Sequence, residues 1–236
     1  MSTIVNPTHP ESSTDLPGGG LEIVGFDNQD NSLNGSNQDD NITGGDSGND
    51  SIDGGLGNDT INGLSGDDTI LGGPGTDSIT GGLGEDSVIG GAGADTLYGF
   101  DGDDFLSGRL GNDSLRGGKG DDTLKGNRGD DFIKGGTGDD LLIGGSGDDT
   151  LRGGNGSDTL QGGRGNDVFE FIARHSGIDT IEDFQVNRDT IDLSDFGVTS
   201  ADVNYNSSTG ELSVNGNIIA QLDAGLNITD DNFELG

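Results

Sequence analysis

Cysteine is absent from the 236 residues. No disulfide, thiol nucleophile or thiolate metal site is therefore possible. Tryptophan is absent too, aromatics make up 5% and apolar residues only 27%. A chain of this kind cannot build a thick hydrophobic core, so apolar burial alone does not offset its conformational entropy. Basic residues are scarce: 10 Lys and Arg face 44 Asp and Glu, and the first of them is Arg109. That excludes a nucleic-acid partner, because phosphate contacts need a basic face. His9 and His175 are the only histidines, and neither H-E-x-x-H nor G-x-S-x-G occurs. The reading is of a protein that is not an enzyme. No apolar run has the length of a transmembrane helix. The N-terminus has neither the basic nor the apolar region of a secretory signal peptide.

Glycine and acid are abundant. Glycine supplies 49 residues, nearly three times the usual share. The formal net charge is −34. Self-repulsion of that size favours an expanded chain unless a counter-ion binds. A metal ion is the simplest cationic partner.

The order of these residues is strictly periodic. From Gly45 to Glu170 the chain repeats G-(G)-x-G-x-D-x-(apolar)-x. The apolar position falls at Ile52, Ile61, Ile70, Ile79, Val88, Leu97, Leu106, Leu115, Leu124, Ile133, Leu142, Leu151, Leu160 and Phe169, always nine residues apart. Two residues before each stands an aspartate, and four before each stands a glycine. The second glycine of the pair is looser: Leu64, Phe100, Arg109 and Asn127 replace it. A degenerate forerunner with Leu33, Asp40 and Ile42 lies upstream. A flexible linker has no reason to keep an apolar residue at every ninth position.

This pattern resembles the RTX, or hemolysin-type, calcium-binding nonapeptide repeat G-G-x-G-x-D-x-U-x. The resemblance implies an all-β fold, a right-handed parallel β-roll with two repeats per coil. Short strands with one inward apolar residue would alternate with six-residue turns. Ca²⁺ takes six to eight oxygen ligands, which one turn cannot supply but two stacked turns can. One column of ligands would hold Asp50, Asp68, Asp86, Asp104, Asp122, Asp140 and Asp158. The other would hold Asp59, Asp77, Asp95, Asp113, Asp131, Asp149 and Asp167. An ion between each pair of neighbours gives about twelve Ca²⁺, and Asp40 would add one more. Binding and folding should then be one event. Acid should reverse it as the aspartates protonate.

Four segments are expected. Residues 1–20 read as a disordered tail, residues 21–44 as an N-terminal cap with degenerate repeats, and residues 45–170 as the roll. Residues 171–236 read as a C-terminal β-rich cap, with strands at 179–184, 189–193, 203–205 and 211–214 and around 218–222. This last segment is similar to the serralysin-like capping domain that carries a type I secretion signal. Its acidic-then-apolar end, Asp231 to Leu235, supports that likeness, and the final Gly236 departs from it. The likeness implies an ABC exporter as a partner and an extracellular location, free or associated with the cell surface.

Two outward features stand out. Leu71, Ile89 and Ile143, with Phe105 and Leu141, should form an exposed apolar patch on one sheet. Arg116, Lys134 and Arg152 recur every eighteen residues and should stack as a stripe that could meet an acidic polysaccharide or a cell surface. The function expected is that of a secreted calcium-binding structural or adhesive protein. The alternative is a calcium-dependent accessory or targeting module of an extracellular enzyme whose catalytic part lies elsewhere. No threonine ladder of an ice-binding surface is present.

Overall fold

The computed structural model describes residues 12–15 and 19–236. The chain winds as an all-β parallel solenoid of about 10 turns with a small antiparallel C-terminal portion. Strands alternate between two 12-stranded sheets. From Leu21–Val24 to Thr190–Leu193 each strand therefore pairs with the strand two further along the chain, apolar residue opposite apolar residue. Thr60–Ser65 sets Ile61 opposite Ile79 of Ser78–Leu83, which in turn faces Leu97 of Thr96–Asp101. The nine-residue step is the direct cause, because two repeats make one coil and place like on like.

The strands are longer than the sequence suggests. They run over six residues, apolar flank through both glycines and one residue beyond, as in Thr123–Arg128 and Thr150–Asn155. Only three residues remain for each turn. Glycine in a strand usually weakens it, but here the glycine backbones pair with the glycines of the next coil, Gly118 with Gly136 and Gly136 with Gly154. The residues Pro74, Leu83, Ala92 and Leu110 consequently close strands rather than sit in turns, whereas Leu56 follows the end of Ser51–Gly55.

Inward positions are the second and fourth of each strand. The second carries the apolar residue and the fourth a glycine. The core is thus two ladders of single side chains, Ile52 to Leu160 on one sheet and Ile61 to Phe169 on the other, all buried. A core one residue wide matches the small apolar content.

Both ends depart from the expected segments. Residues 1–11 and 16–18 of the expected tail lie outside the described residues, whereas Ser12–Asp15 form a strand antiparallel to Leu21–Val24. Leu21–Val24 itself already pairs in parallel with Asn41–Thr43, so the solenoid starts there. Beyond residue 170 the parallel stacking continues. Asp179–Ile181 pairs with Thr159–Arg164, and Thr190–Leu193 with Val168–Glu170. The expected hairpin is present as Val203–Asn206 against Glu211–Val214, and Asn217–Gln221 joins it. Phe233–Leu235 adds the last parallel strand, beside Thr190–Leu193.

Candidate metal centre

Each three-residue turn ends in the aspartate of the repeat. All fourteen aspartates from Asp50 to Asp167 are buried, at 0 to 3% exposure. Burying so many carboxylates side by side is costly unless something compensates. The structure places them in the two columns expected from the eighteen-residue coil. Within a column the backbone N–H of each aspartate donates to Oδ1 of the aspartate one coil later. Asp50 N–H reaches Asp68 Oδ1 at 2.8 Å, and Asp149 N–H reaches Asp167 Oδ1 at 3.0 Å, with the same link at every step between. The aspartate carbonyls accept from the coil after, as Asp68 O does from Ser87 N–H at 2.8 Å.

One atom is left over. Oδ2 is buried without any hydrogen-bond partner in Asp59, Asp68, Asp77, Asp86, Asp95, Asp104, Asp113, Asp122, Asp131, Asp140, Asp149, Asp158 and Asp167. These thirteen orphaned oxygens are the signature of the site, since buried polar atoms are otherwise almost always paired. Each points at the glycine five residues earlier. A Cβ on Gly63 would strike Asp68 Oδ2 and lie 2.6 Å from the Gly81 carbonyl oxygen; on Gly135 it would strike Asp140 Oδ2 and lie 2.8 Å from Gly153 O. The missing side chain thus lets the carboxylate oxygen lie against the glycine, close to a backbone carbonyl of the next coil. That is an all-oxygen donor set, suited to a hard cation such as Ca²⁺. Among the described residues no three His, Cys, Asp or Glu side chains converge on one point. Carbonyls must therefore complete each site, and the residues present fit calcium on those terms.

Electrostatics agree. Burial raises the carboxyl pKa along both columns, with neighbouring carboxylates adding to it. Asp140 is pushed up to about 8, Asp68, Asp86, Asp95, Asp104, Asp131 and Asp149 to about 7, and Asp59, Asp122 and Asp167 to about 6. Asp77, Asp113 and Asp158 are raised as well, again by burial first. A bound divalent cation reverses such a penalty.

The columns run further than the fourteen repeats. At the start, Asp40 N–H donates to Asp59 Oδ1 and Asn31 N–H to Asp50 Oδ1. At the far end, Asp158 N–H donates to Asp179 Oδ1 at 3.1 Å and Asp167 N–H to Asp189 Oδ1 at 3.2 Å. Asp179 and Asp189 were not among the expected site residues. Their signal is nonetheless in the sequence: each stands two residues before a buried isoleucine, Ile181 and Ile191, as in every repeat. The column starts are closed differently. Asp50 Oδ2 accepts from Gly45 N–H at 2.8 Å, and Asp40 Oδ2 accepts from Ser36 N–H. Donors of the chain satisfy there what is orphaned further on.

A second, exposed ladder flanks the first. Asp139 N–H donates to Asp121 Oδ1 at 2.8 Å, and Asn166 N–H to Asp148 Oδ1 at 2.8 Å. It uses the residue just before each buried aspartate and runs in the opposite sense. Thr76 and Glu85 N–H still donate to Asn58 and Asp67 Oδ1, but Thr76, Glu85 and Ala94 offer no Asp or Asn oxygen to the coil after them, and the ladder breaks there.

Comparison with known families agrees with the geometry. The family model for four copies of the RTX calcium-binding nonapeptide repeat matches residues 27–58, 44–79, 80–115, 107–142, 116–151 and 134–169, together more than half of the chain. No curated protein matches it. Stacked aspartate turns, glycine-lined places beside them and the matched repeats agree, and the chain belongs to the RTX calcium-binding nonapeptide repeat family.

Proposed function

We propose that the chain is an extracellular calcium-binding protein that folds as it fills its columns, and that it serves a structural or adhesive role rather than a catalytic one. The thirteen orphaned Oδ2 atoms carry this reading. Each marks a place where one cation would bridge two coils. Six of them lie in the column that begins at Asp50 and seven in the column that takes in Asp40, so about thirteen Ca²⁺ would bind. The ions bring the positive charge that a chain of −34 needs to compact.

Extracellular calcium modules bind in the range of about 10⁻⁴–10⁻³ M. Such a chain stays open where calcium is micromolar and closes where it is millimolar. That suits a protein exported unfolded, as RTX repeats typically are by type I exporters. The C-terminal segment, with its acidic Asp230 and Asp231 before Phe233 and Leu235, would serve as both end cap and export signal. Native mass spectrometry in calcium tests the reading. About twelve to thirteen bound ions are expected, as many as the orphaned oxygens; three or fewer would rule out stacked sites.

A further inference from the structure

A groove of about 580 Å³ crosses four coils on the outer face of one sheet. Its long wall is a column in strict register: Tyr98, Arg116, Lys134 and Arg152. Its floor is the parallel column Phe100, Gly118, Gly136 and Gly154. Three glycines leave the floor bare, and the two aromatic rings close one end with centroids 6.0 Å apart. The Arg116 guanidinium lies 5.6 Å from the Tyr98 ring centroid.

Two observations indicate a ligand. First, the wall holds cations without carboxylate partners in a chain that has carboxylates in excess. Arg152 pairs with Glu170, and Lys119 on the opposite wall pairs with Asp101 at 2.9 Å. Arg116 and Lys134 make no ion pair among the described residues, although they are stacked one coil apart, about 4.8 Å, where like charges repel. Second, Phe100 stands where the adjacent coils have Gly82 and Gly118. It holds the same left-handed backbone, φ +88° against +133° and +136°, with its side chain 53% exposed. Leu64, Arg109 and Asn127 hold the same strained backbone at the equivalent repeat position, so strain alone marks no site; what sets Phe100 apart is an aromatic ring held beside Tyr98 at the end of the groove.

We propose that this groove binds an acidic polysaccharide built of uronic-acid rings. The apolar face of a pyranose ring would stack on Tyr98 and Phe100. Its carboxylates would meet Arg116, by a bidentate pair, and Lys134. The bare glycine floor lets a flat chain of sugars lie along the coils. A nucleic acid is disfavoured, because two unpaired cations release few counterions and the rest of the surface is acidic. The proposal rests on the calcium-folded roll but not on the route of export.

The test is calorimetric titration, in millimolar calcium, of the full chain with a uronic-acid oligosaccharide short enough to stay soluble with that ion. A neutral oligosaccharide, a sulfated one and a single-stranded oligonucleotide of equal length are compared. Circular dichroism of every sample establishes that the roll has formed. The uronate should bind best, and added salt should weaken it. The double variant Arg116→Ala with Lys134→Ala should lose at least about tenfold in affinity with its fold intact. Phe100→Gly should bind several-fold more weakly while its melting temperature holds or rises, because glycine relieves the backbone. A merely structural role for Phe100 would not separate those two readouts in that way. A folded chain that ignores the uronate, an unaffected double variant, or tighter binding of any comparison ligand would overturn the proposal. A chain without a β spectrum in calcium would instead overturn the calcium reading itself, and the groove with it.

Discussion

Gly99 lies outside the left-handed region of backbone space, so its conformation alone does not require glycine. Close approach does: a Cβ there would run into Asp104 Oδ2 and sit 2.8 Å from the Gly117 carbonyl. Gly99→Ala should therefore remove calcium from that place without changing any carboxylate, and cost roughly 1–3 kcal/mol of stability in calcium from overpacking. Ion counting by native mass spectrometry checks it, and a full complement in the variant would contradict the assignment. The aspartates themselves allow a positional test. Asp104 links to Asp86 and Asp122 and has an orphaned Oδ2, whereas both carboxylate oxygens of Asp50 already accept hydrogen bonds from the chain. Asp104→Ala should lose about two ions and Asp50→Ala about one at most, following nearest-neighbour logic. Equal losses would argue against stacked columns. All fourteen of these aspartates were legible in the sequence because each keeps its distance from a glycine and from an apolar residue. Asp179 and Asp189 were not, because 21 and 22 residues, instead of 18, separate them from Asp158 and Asp167. The extra residues loop out, the period breaks, and only the two-residue offset to a buried isoleucine survives. The exposed ladder was hidden for another reason: Asn, Asp, Ser, Thr and Glu all occur there, and a backbone N–H can donate from any of them.

At the scale of single elements, period-nine apolar spacing predicted the strands and their inward residue, but it understated their length. Glycine carries no side chain to report which face it occupies, so the fourth, inward position of each strand gave no apolar signal. The ends were less legible still. Ser12–Asp15 has no repeat signature, yet it pairs along Leu21–Val24 and covers what would be an open edge. Open edges invite pairing with another chain, and behind this one lie buried Leu21 and Ile23. Removing residues 1–18 should thus make the calcium-loaded chain associate in a concentration-dependent way. Size-exclusion chromatography with light scattering reads this directly, and a truncated chain that stays monomeric at every concentration would show that the strand does not protect the edge. At the other end the hairpin of Val203–Asn206 and Glu211–Val214 was foreseen from its turn residues, Ser207 to Gly210. What was not foreseen is that Asp179–Ile181 and Thr190–Leu193 extend the parallel stack rather than open a separate cap.

For the molecule as a whole, two kinds of cation can neutralise the columns. The column carboxyls have raised pKa values in the metal-free fold, from about 6 at Asp122 to about 8 at Asp140, against an ordinary 3.8, and burial is the main cause. A raised folded-state pKa means that the folded chain takes up more protons than the unfolded one. That contribution is full below about pH 4 and is lost as pH rises through about 6 to 8. Acid therefore unloads calcium, as expected from the ligands, but protons also relieve the metal-free columns, which the sequence alone did not reveal. Calcium binding at pH 6 should release protons, so its heat should change with the ionisation enthalpy of the buffer. Heats that are identical in all buffers would contradict the raised values. As pH rises through that range the protons are lost, and the core of single side chains does not offset the self-repulsion of a chain of −34. On the function proposed above, calcium is then what holds the fold together. The far-ultraviolet circular dichroism of the chain at pH 7.5 (about half a unit above the middle of that range) tests this most directly, first in chelator and then in millimolar calcium. A disordered spectrum should turn cooperatively into a β-rich one as calcium is added, and Mg²⁺ should substitute poorly because it keeps its waters and demands octahedral geometry. A chain that is already β-rich in chelator, with a spectrum that calcium leaves unchanged, would contradict the account.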